Sequence, residues 1–306
     1  MEIIDVQVHT WDKESEKYPW PGNLGTPERT AMVRAHFNEH LVPMDALVAA
    51  MDDAGVDAGI AVVPSIFGSD NSYAMDAVKR YPDRLAMIAL VSHDAPDLDE
   101  RVCALGKTPG VLGIRVMIFT DELLASVQQG ARRKLFAAMQ KHGVALSLYP
   151  PRYIQHVAGI ARDFPDLRIV IDHLGFPQPP VNVSGIGPGN MFNGWEHLVA
   201  LAKCPNVAIK VSAFPSMSSE PYPYRDLWPR IRQLIEVFGV ERLFWGTDFT
   251  RVASLLGYRE GVNYILDNNE LSASEKTMLM GGSLRRFFNW PPKEWIPRSA
   301  SKKVAG

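Results

Sequence analysis

Cysteine is scarce in this 306-residue chain: Cys103 and Cys204 are the two, and they stand in no paired metal-binding spacing. That usage fits a reducing compartment and offers no disulfide framework. Long apolar runs are missing as well, none approaching the roughly 20 residues of a membrane span. Positive charge is not in excess. A net charge of −2 and a pI near 6.5 argue against nucleic acid or an anionic membrane as partner, since both need a basic face. The basic clusters Arg132-Arg133, Arg285-Arg286 and Lys302-Lys303 are too short to track a phosphate backbone. At the N-terminus, Glu2 and Asp5 stand where a signal peptide carries positive charge, so a soluble, cytoplasmic protein is expected. There is no short internal repeat and no low-complexity segment.

What is present is an ordinary globular composition, 46% hydrophobic and 22% charged, enough for a core of useful size. The length admits one barrel or two smaller domains. Eight short apolar runs decide between them, at 3–8, 58–63, 85–91, 111–118, 144–148, 167–171, 207–211 and 243–245. Strands of a closed parallel barrel are buried on both faces and read as continuous apolar runs. Segments of helical period lie between or after them, at 44–54, 72–81, 98–105, 132–142, 154–163, 195–201, 224–238 and 259–266. Several helix-to-strand joins carry Gly, Pro or Asp, as in AGVDAG, RYPDR, TPGVLG and KHGVAL. The expected fold is α/β, a TIM-like (β/α)8 barrel over 1–290, with 291–306 as a C-terminal extension. Three long loops trail strands, at 18–25, 176–193 and 214–224, which places them on the catalytic face.

Polar groups at strand C-terminal ends point into one mouth in such a barrel. They are Gln7 and His9, Ser65, Ser92 and His93, Arg115, Tyr149, Asp172 and His173, Ser212, and Thr247 and Asp248. His9, His173 and Asp248 form a set able to hold a metal, or to activate water without one. Arg115 lies inside an apolar strand, where a guanidinium needs a carboxylate from the protein or from a substrate. For Lys210 an internal ion pair and a substrate contact are both open, and for Gln7 a hydrogen bond to substrate or water and a packing role. Aromatic residues close behind strands (Trp11, Tyr18, Trp20, Phe67, Phe119, Phe176, Phe214 and Phe249) suggest a wall for a planar ring, with Trp20 on the substrate. His36, His40, His142, His156 and His197 fall away from strand ends, and surface or packing roles are expected for them.

Taken in order, IIDVQVHTW, GIRVMI, IDHLG, VAIKVSA, WGTDF and MGGSLRRFF resemble the amidohydrolase-related (amidohydrolase 2) family of the amidohydrolase superfamily. That family includes pyrone dicarboxylate lactonase and aminocarboxymuconate semialdehyde decarboxylase, and the likeness runs from Ile3 to about Phe288. The resemblance implies catalysis by Asp248, His173 and His9, and a substrate from aromatic catabolism. One departure matters: the family's first strand usually ends His-x-His, whereas this chain has Gln7-Val8-His9, and its fifth strand ends in Tyr149 rather than histidine. An amide oxygen is a poor zinc ligand. No tightly bound cofactor is therefore expected; if a zinc or manganese ion is present, His9, His173 and Asp248 would hold it.

The leading expectation is a hydrolase for a lactone, ester or amide of a small ring-containing carboxylic acid. Asp248 is general base on water, His9 and His173 polarise the carbonyl, and Arg115, Gln7, Tyr149, Ser65 and Trp20 bind substrate. Arg115 would take a substrate carboxylate in a bidentate grip. The alternatives are a metal-dependent, non-oxidative decarboxylase of an aromatic acid and an inactive barrel that binds a ring-shaped ligand. Homo-oligomerisation is open.

Overall fold

A computed structural model describes residues 1–22, 24, 26–178, 191–252 and 256–291. Eight strands form one parallel sheet in chain order: β1 (Ile4–Val8), β2 (Ala58–Val62), β3 (Leu85–Ala89), β4 (Val111–Met117), β5 (Ala145–Tyr149), β6 (Ile169–Ile171), β7 (Val207–Ser212) and β8 (Leu243–Gly246). The last returns beside the first, where the amide of Asp248 donates to the carbonyl of Gln7 at 2.9 Å. Each strand overlaps one of the eight apolar runs, and the result is the expected TIM-like barrel.

Helices follow the strands in turn. After β1 come α1 (Pro27–Glu39) and α2 (Met44–Ala54), after β2 α3 (Ser72–Arg80), and after β3 α4 (Leu98–Lys107). After β4 come α5 (Asp121–Gln128) and α6 (Arg133–His142), after β5 α7 (Val157–Asp163), after β6 α8 (Trp195–Ala200) and after β7 α9 (Trp228–Phe238). After β8 lie α10 (Phe249–Val252), α11 (Tyr258–Leu266), α12 (Ala273–Thr277) and α13 (Ser283–Phe288). The segment 44–54 illustrates why these form. Leu47, Val48, Met51 and Ala54 recur on one face and are buried, each large side chain contributing roughly 1.5–3 kcal/mol. Gly55 then ends the helix in the left-handed region at φ 84°, which costs a residue without Cβ nothing.

Two apolar layers result. One lies between strands and helices and includes Val8, Leu47, Met51, Leu146 and Ile209. The other fills the barrel at its N-terminal end with Ile4, Val6, Ile60, Val170 and Phe244, closed from below by Leu284 and Phe288 of α13. In β1 the two layers are joined by a bulge. From Asp5 to Val8 the strand advances three residues while its partner β2 advances two, from Gly59 to Ala61. The extra residue breaks the alternation. Ile4 and Val6 face the inner core, yet Val8 packs outward, and Gln7 and His9 are turned into the barrel. Among the described residues no helix is long and apolar enough to cross a membrane. The extension beyond Pro291 lies outside the described residues.

Candidate active site

Parallel strands send their C-terminal ends to one face, and there His9, His173 and Asp248 meet. His9 Nε2 stands 3.2 Å from Asp248 Oδ1, and His173 Nε2 stands 3.8 Å from Asp248 Oδ2. His9 Nδ1 lies 2.6 Å from the carbonyl oxygen of Val62, an acceptor only, so the ring proton sits on Nδ1 and is donated there. Its Nε2 lone pair therefore faces a carboxylate oxygen. His173 Nδ1 pairs with the Ser212 hydroxyl at 2.8 Å.

The Asp248 carboxylate is fully buried, and neither oxygen meets a well-aligned hydrogen-bond donor among the described residues. Burial alone would raise its pKa; His9 beside Oδ1, with His173 and Arg251 nearby, more than offsets this and holds it below the usual carboxylate value. Burial pushes His173 down to about 3, against the pull of Asp248 and Asp172, so its imidazole is neutral at ordinary pH. The backbone is strained at both residues. His173 has φ 52°, Leu174 φ 57° and Asp248 φ 54°, a region rarely adopted by residues with a Cβ and costing about 1–3 kcal/mol each.

Beneath this set lies a buried ionic network. Asp172 accepts from Arg115 Nε at 2.9 Å on Oδ2, and from Ser147 Oγ at 2.6 Å and Lys210 Nζ at 2.8 Å on Oδ1. Burial would raise its pKa, but Lys210 and Arg115 hold it well below the usual range. Lys210 Nζ also donates to Gln7 Oε1 at 2.9 Å, which turns the Gln7 amide nitrogen toward His9 Nε2 at 3.5 Å.

Above the network opens a cavity of about 940 Å³. Its walls carry His9, His173, Asp248, Ser65, Arg115 and Tyr149 from the strand ends, Arg152 from the loop after β5 and Arg251 from α10. Helix α1 and the residues after it supply His36, Phe37, Glu39 and His40. Burial pushes the Tyr149 phenol up to about 12, so it stays protonated; it donates to the Phe176 carbonyl at 3.3 Å, and its ring meets His173 edge-on at 5.2 Å. Arg251 is held by Gln178 through Oε1 at 3.1 Å and the carbonyl oxygen at 3.3 Å.

The Amidohydrolase family model matches residues 4–290. The chain belongs to that family. Among curated proteins this amidohydrolase is 28% identical to L-fucono-1,5-lactonase of Burkholderia ambifaria over 260 residues, covering 83% of this chain and 82% of that one. It is 26% identical to 4-sulfomuconolactone hydrolase of Hydrogenophaga intermedia over 211 residues, covering 68% and 65%. Among solved structures, an amidohydrolase from Burkholderia multivorans with bound zinc superposes with a TM-score of 0.73 at 21% identity, over 95% of this chain and all of that one.

Within this amidohydrolase the expected site residues do not all reach the cavity. Gln7 is fully buried below it and its amide oxygen accepts from Lys210. Lys210 itself is in an internal ion pair. Arg115 borders the cavity, yet its Nε is given to Asp172, the protein carboxylate of the two alternatives. Trp20 stands behind the wall, edge-on to Phe37 at 6.4 Å and Phe67 at 6.1 Å. Of the aromatics expected at the mouth, Trp11, Phe119 and Phe249 line it; Phe176 and Phe214 are core, and Tyr18 and Phe67 border a small neighbouring pocket. His93 pairs with Asp94 at 3.3 Å on its loop.

Of the three loops, 176–193 reaches the cavity through Pro177 and Gln178, while 179–190 lies outside the described residues. The described parts of 18–25 and 214–224 do not line it. The residues missed were His36, His40, Arg152 and Arg251. Arg251 had a signal, three residues beyond Asp248 in WGTDFTR; the two histidines had none.

The residues present do not compose a closed metal site. Among the described residues no three His, Cys, Asp or Glu side chains are grouped to hold an ion. Where a second strand-end imidazole would stand, Gln7 turns its amide oxygen to a buried ammonium.

Proposed function

We propose that the chain hydrolyses a lactone of a small ring-containing carboxylic acid, with Asp248 as general base. The observation that carries this is a buried, ionised carboxylate whose oxygens lack aligned donors and which opens on a cavity between two imidazoles. The relatives support it in being named for lactones. A water in the cavity beside His9 and Asp248 gives a proton to the carboxylate as its oxygen attacks the lactone carbonyl carbon. The oxyanion is met by the neutral His173, with Nε2–H as donor when Ser212 donates to Nδ1. When the intermediate collapses, the ring C–O bond breaks and the proton on Asp248 passes to the leaving oxygen. Arg115 and Ser65 bind the rest of the substrate from the wall, the carboxylate lying against the Arg115 guanidinium.

No step here runs through an ion, a reading supported by the Gln7–Lys210 bond and by Tyr149 at the end of β5. The test is proton release with L-fucono-1,5-lactone and 4-sulfomuconolactone, before and after chelation, beside elemental analysis. Ring opening that survives chelation, with well under one equivalent of zinc or manganese, is expected. Loss of turnover on chelation, restored by manganese, would overturn the metal-free part. Turnover of an aromatic acid with carbon dioxide release, and of no lactone, would replace the whole reading by decarboxylation.

A further inference from the structure

The barrel ladder runs from β1 to β8, but among the described residues β8 and β1 share no regular ladder, and that seam passes directly under His9 and Asp248. It is closed by other bonds. The Asp5 carboxylate takes three of them: Oδ1 accepts from the amides of Gln7 and Thr247, each at 3.0 Å, and Oδ2 accepts from the Thr247 hydroxyl at 2.5 Å. Above these, the amide of Asp248 donates to the Gln7 carbonyl at 2.9 Å, and the amide of His9 donates to Thr250 Oγ1 at 3.2 Å. The strands approach so closely that a Cβ on Gly246 would lie 2.8 Å from Val6 Cγ1 and 2.9 Å from Asp5 Oδ1.

The Thr247 hydroxyl is the pivot. It donates to Asp5 and accepts from the amide of Phe249 at 3.1 Å, so the left-handed corner at Asp248 is bracketed on both sides. On β1, Asp5 fixes the amide of Gln7 within the bulge that turns Gln7 and His9 inward. Asp5 is fully buried and does not border the cavity. We infer that Asp5 is a positioning residue: by tying Thr247 to Gln7 across the seam it sets the aim of the Asp248 carboxylate relative to His9. A small misplacement of a reacting group costs rate more than binding. The inference rests on Asp248 and His9 acting together, so its test includes a readout that needs no turnover.

Asp5→Ala removes both acceptor oxygens and with them all three bonds. Asp5→Asn keeps Oδ1 for both amides and lets the Thr247 hydroxyl accept from the new amide. With L-fucono-1,5-lactone, Asp5→Ala is expected to lower kcat by at least ~30-fold with KM within about threefold, and Asp5→Asn to stay within about fivefold of wild type. In nitrogen–proton spectra of the imidazoles, Asp5→Ala is expected to shift His9 and leave His93 in place. If the wild type opens neither test lactone, the functional reading fails and the His9 spectrum alone decides this one. A folded Asp5→Ala enzyme with wild-type kcat, an unshifted His9, or an Asn variant as slow as the Ala variant would overturn the inference. Should Asp5→Ala not fold, Thr247→Val replaces it: a fall in kcat of about tenfold at constant KM is expected, and unchanged kcat refutes.

Discussion

A carboxylate that is fully buried with no aligned donor on either oxygen is costly unless water or substrate completes it. Asp248 is in that position, and Asp248→Asn separates a catalytic from a structural reason for it. Asparagine matches its size and tolerates the left-handed backbone, so the melting temperature should move little. It cannot take a proton near neutral pH, so kcat should fall by about 10²–10⁴-fold. Activity within a few-fold of wild type would remove Asp248 as the base. Asp172, its neighbour in depth, has the opposite character. Asp172→Ala strands Arg115 and Lys210 together in the interior and should cost about 3–5 kcal/mol in urea unfolding. Arg115→Met should cost less, because Lys210 and Ser147 remain on the carboxylate. Equal losses would mean that the two cations do not share Asp172 as drawn. At this scale the sequence conveyed which polar groups stand at strand ends, but not which of them spend their charge on one another. Arg115, Asp172, Lys210 and Gln7 were each legible; their mutual bonds depend on the tilt and closure of the barrel.

Among the elements, the strands were legible because burial on both faces leaves an unbroken apolar run, and α2 was legible because four buried residues recur on one side. Helix α1 was not. None of its residues is buried, so it has no apolar stripe to read. It is placed by the Thr26 cap, by the Trp11 indole on the Phe37 carbonyl and by the packing of Phe37 on Trp11. The means by which Gln7 and His9 turn inward, as expected of strand-end groups, was hidden: strict alternation from Ile4 and Val6 would turn them outward, and the bulge reverses this. A helix with no buried residue opens locally at low cost. Its amides should exchange with solvent well before those of α2, whose Leu47 and Met51 are fully buried. His36→Ala with His40→Ala should leave unfolding free energy within about 0.5 kcal/mol, as for surface sites generally, while raising KM through the lost cavity wall. Slow exchange throughout α1, or an unchanged KM, would count against its part in substrate binding.

For the molecule as a whole, two buried groups set the acid side of the stability curve, and they act in opposite directions. His173 titrates near 6.5 when unfolded and at about 3 when folded, because burial disfavours its cation. Between those values the unfolded chain binds the extra proton, so stability falls as pH falls, by ~1.4 kcal/mol per pH unit for one proton. Asp5 is the reverse. Burial raises it from 3.8 to about 6, against the bonds from Thr247 and Gln7, with Tyr258 and Tyr264 as its titratable neighbours. Between 3.8 and about 6 the folded chain binds the proton, so stability falls as pH rises. The slopes of these two groups cancel from about pH 4.5 to 6, so the wild-type urea midpoint should be flatter there than that of a variant lacking either one. Below that window Asp172 and Asp248, both held below their unfolded value, take up protons on unfolding, and stability should drop steeply. Asp5→Asn removes one of the two opposed slopes while keeping the amide acceptor for Thr247 and Gln7. Its midpoint should decline steadily on acidification, losing about 2 kcal/mol between pH 6 and 4.5 relative to its own value at pH 6. A variant as flat as the wild type would show that His173 is not held neutral by burial, and would withdraw the neutral imidazole donor on which the oxyanion contact depends.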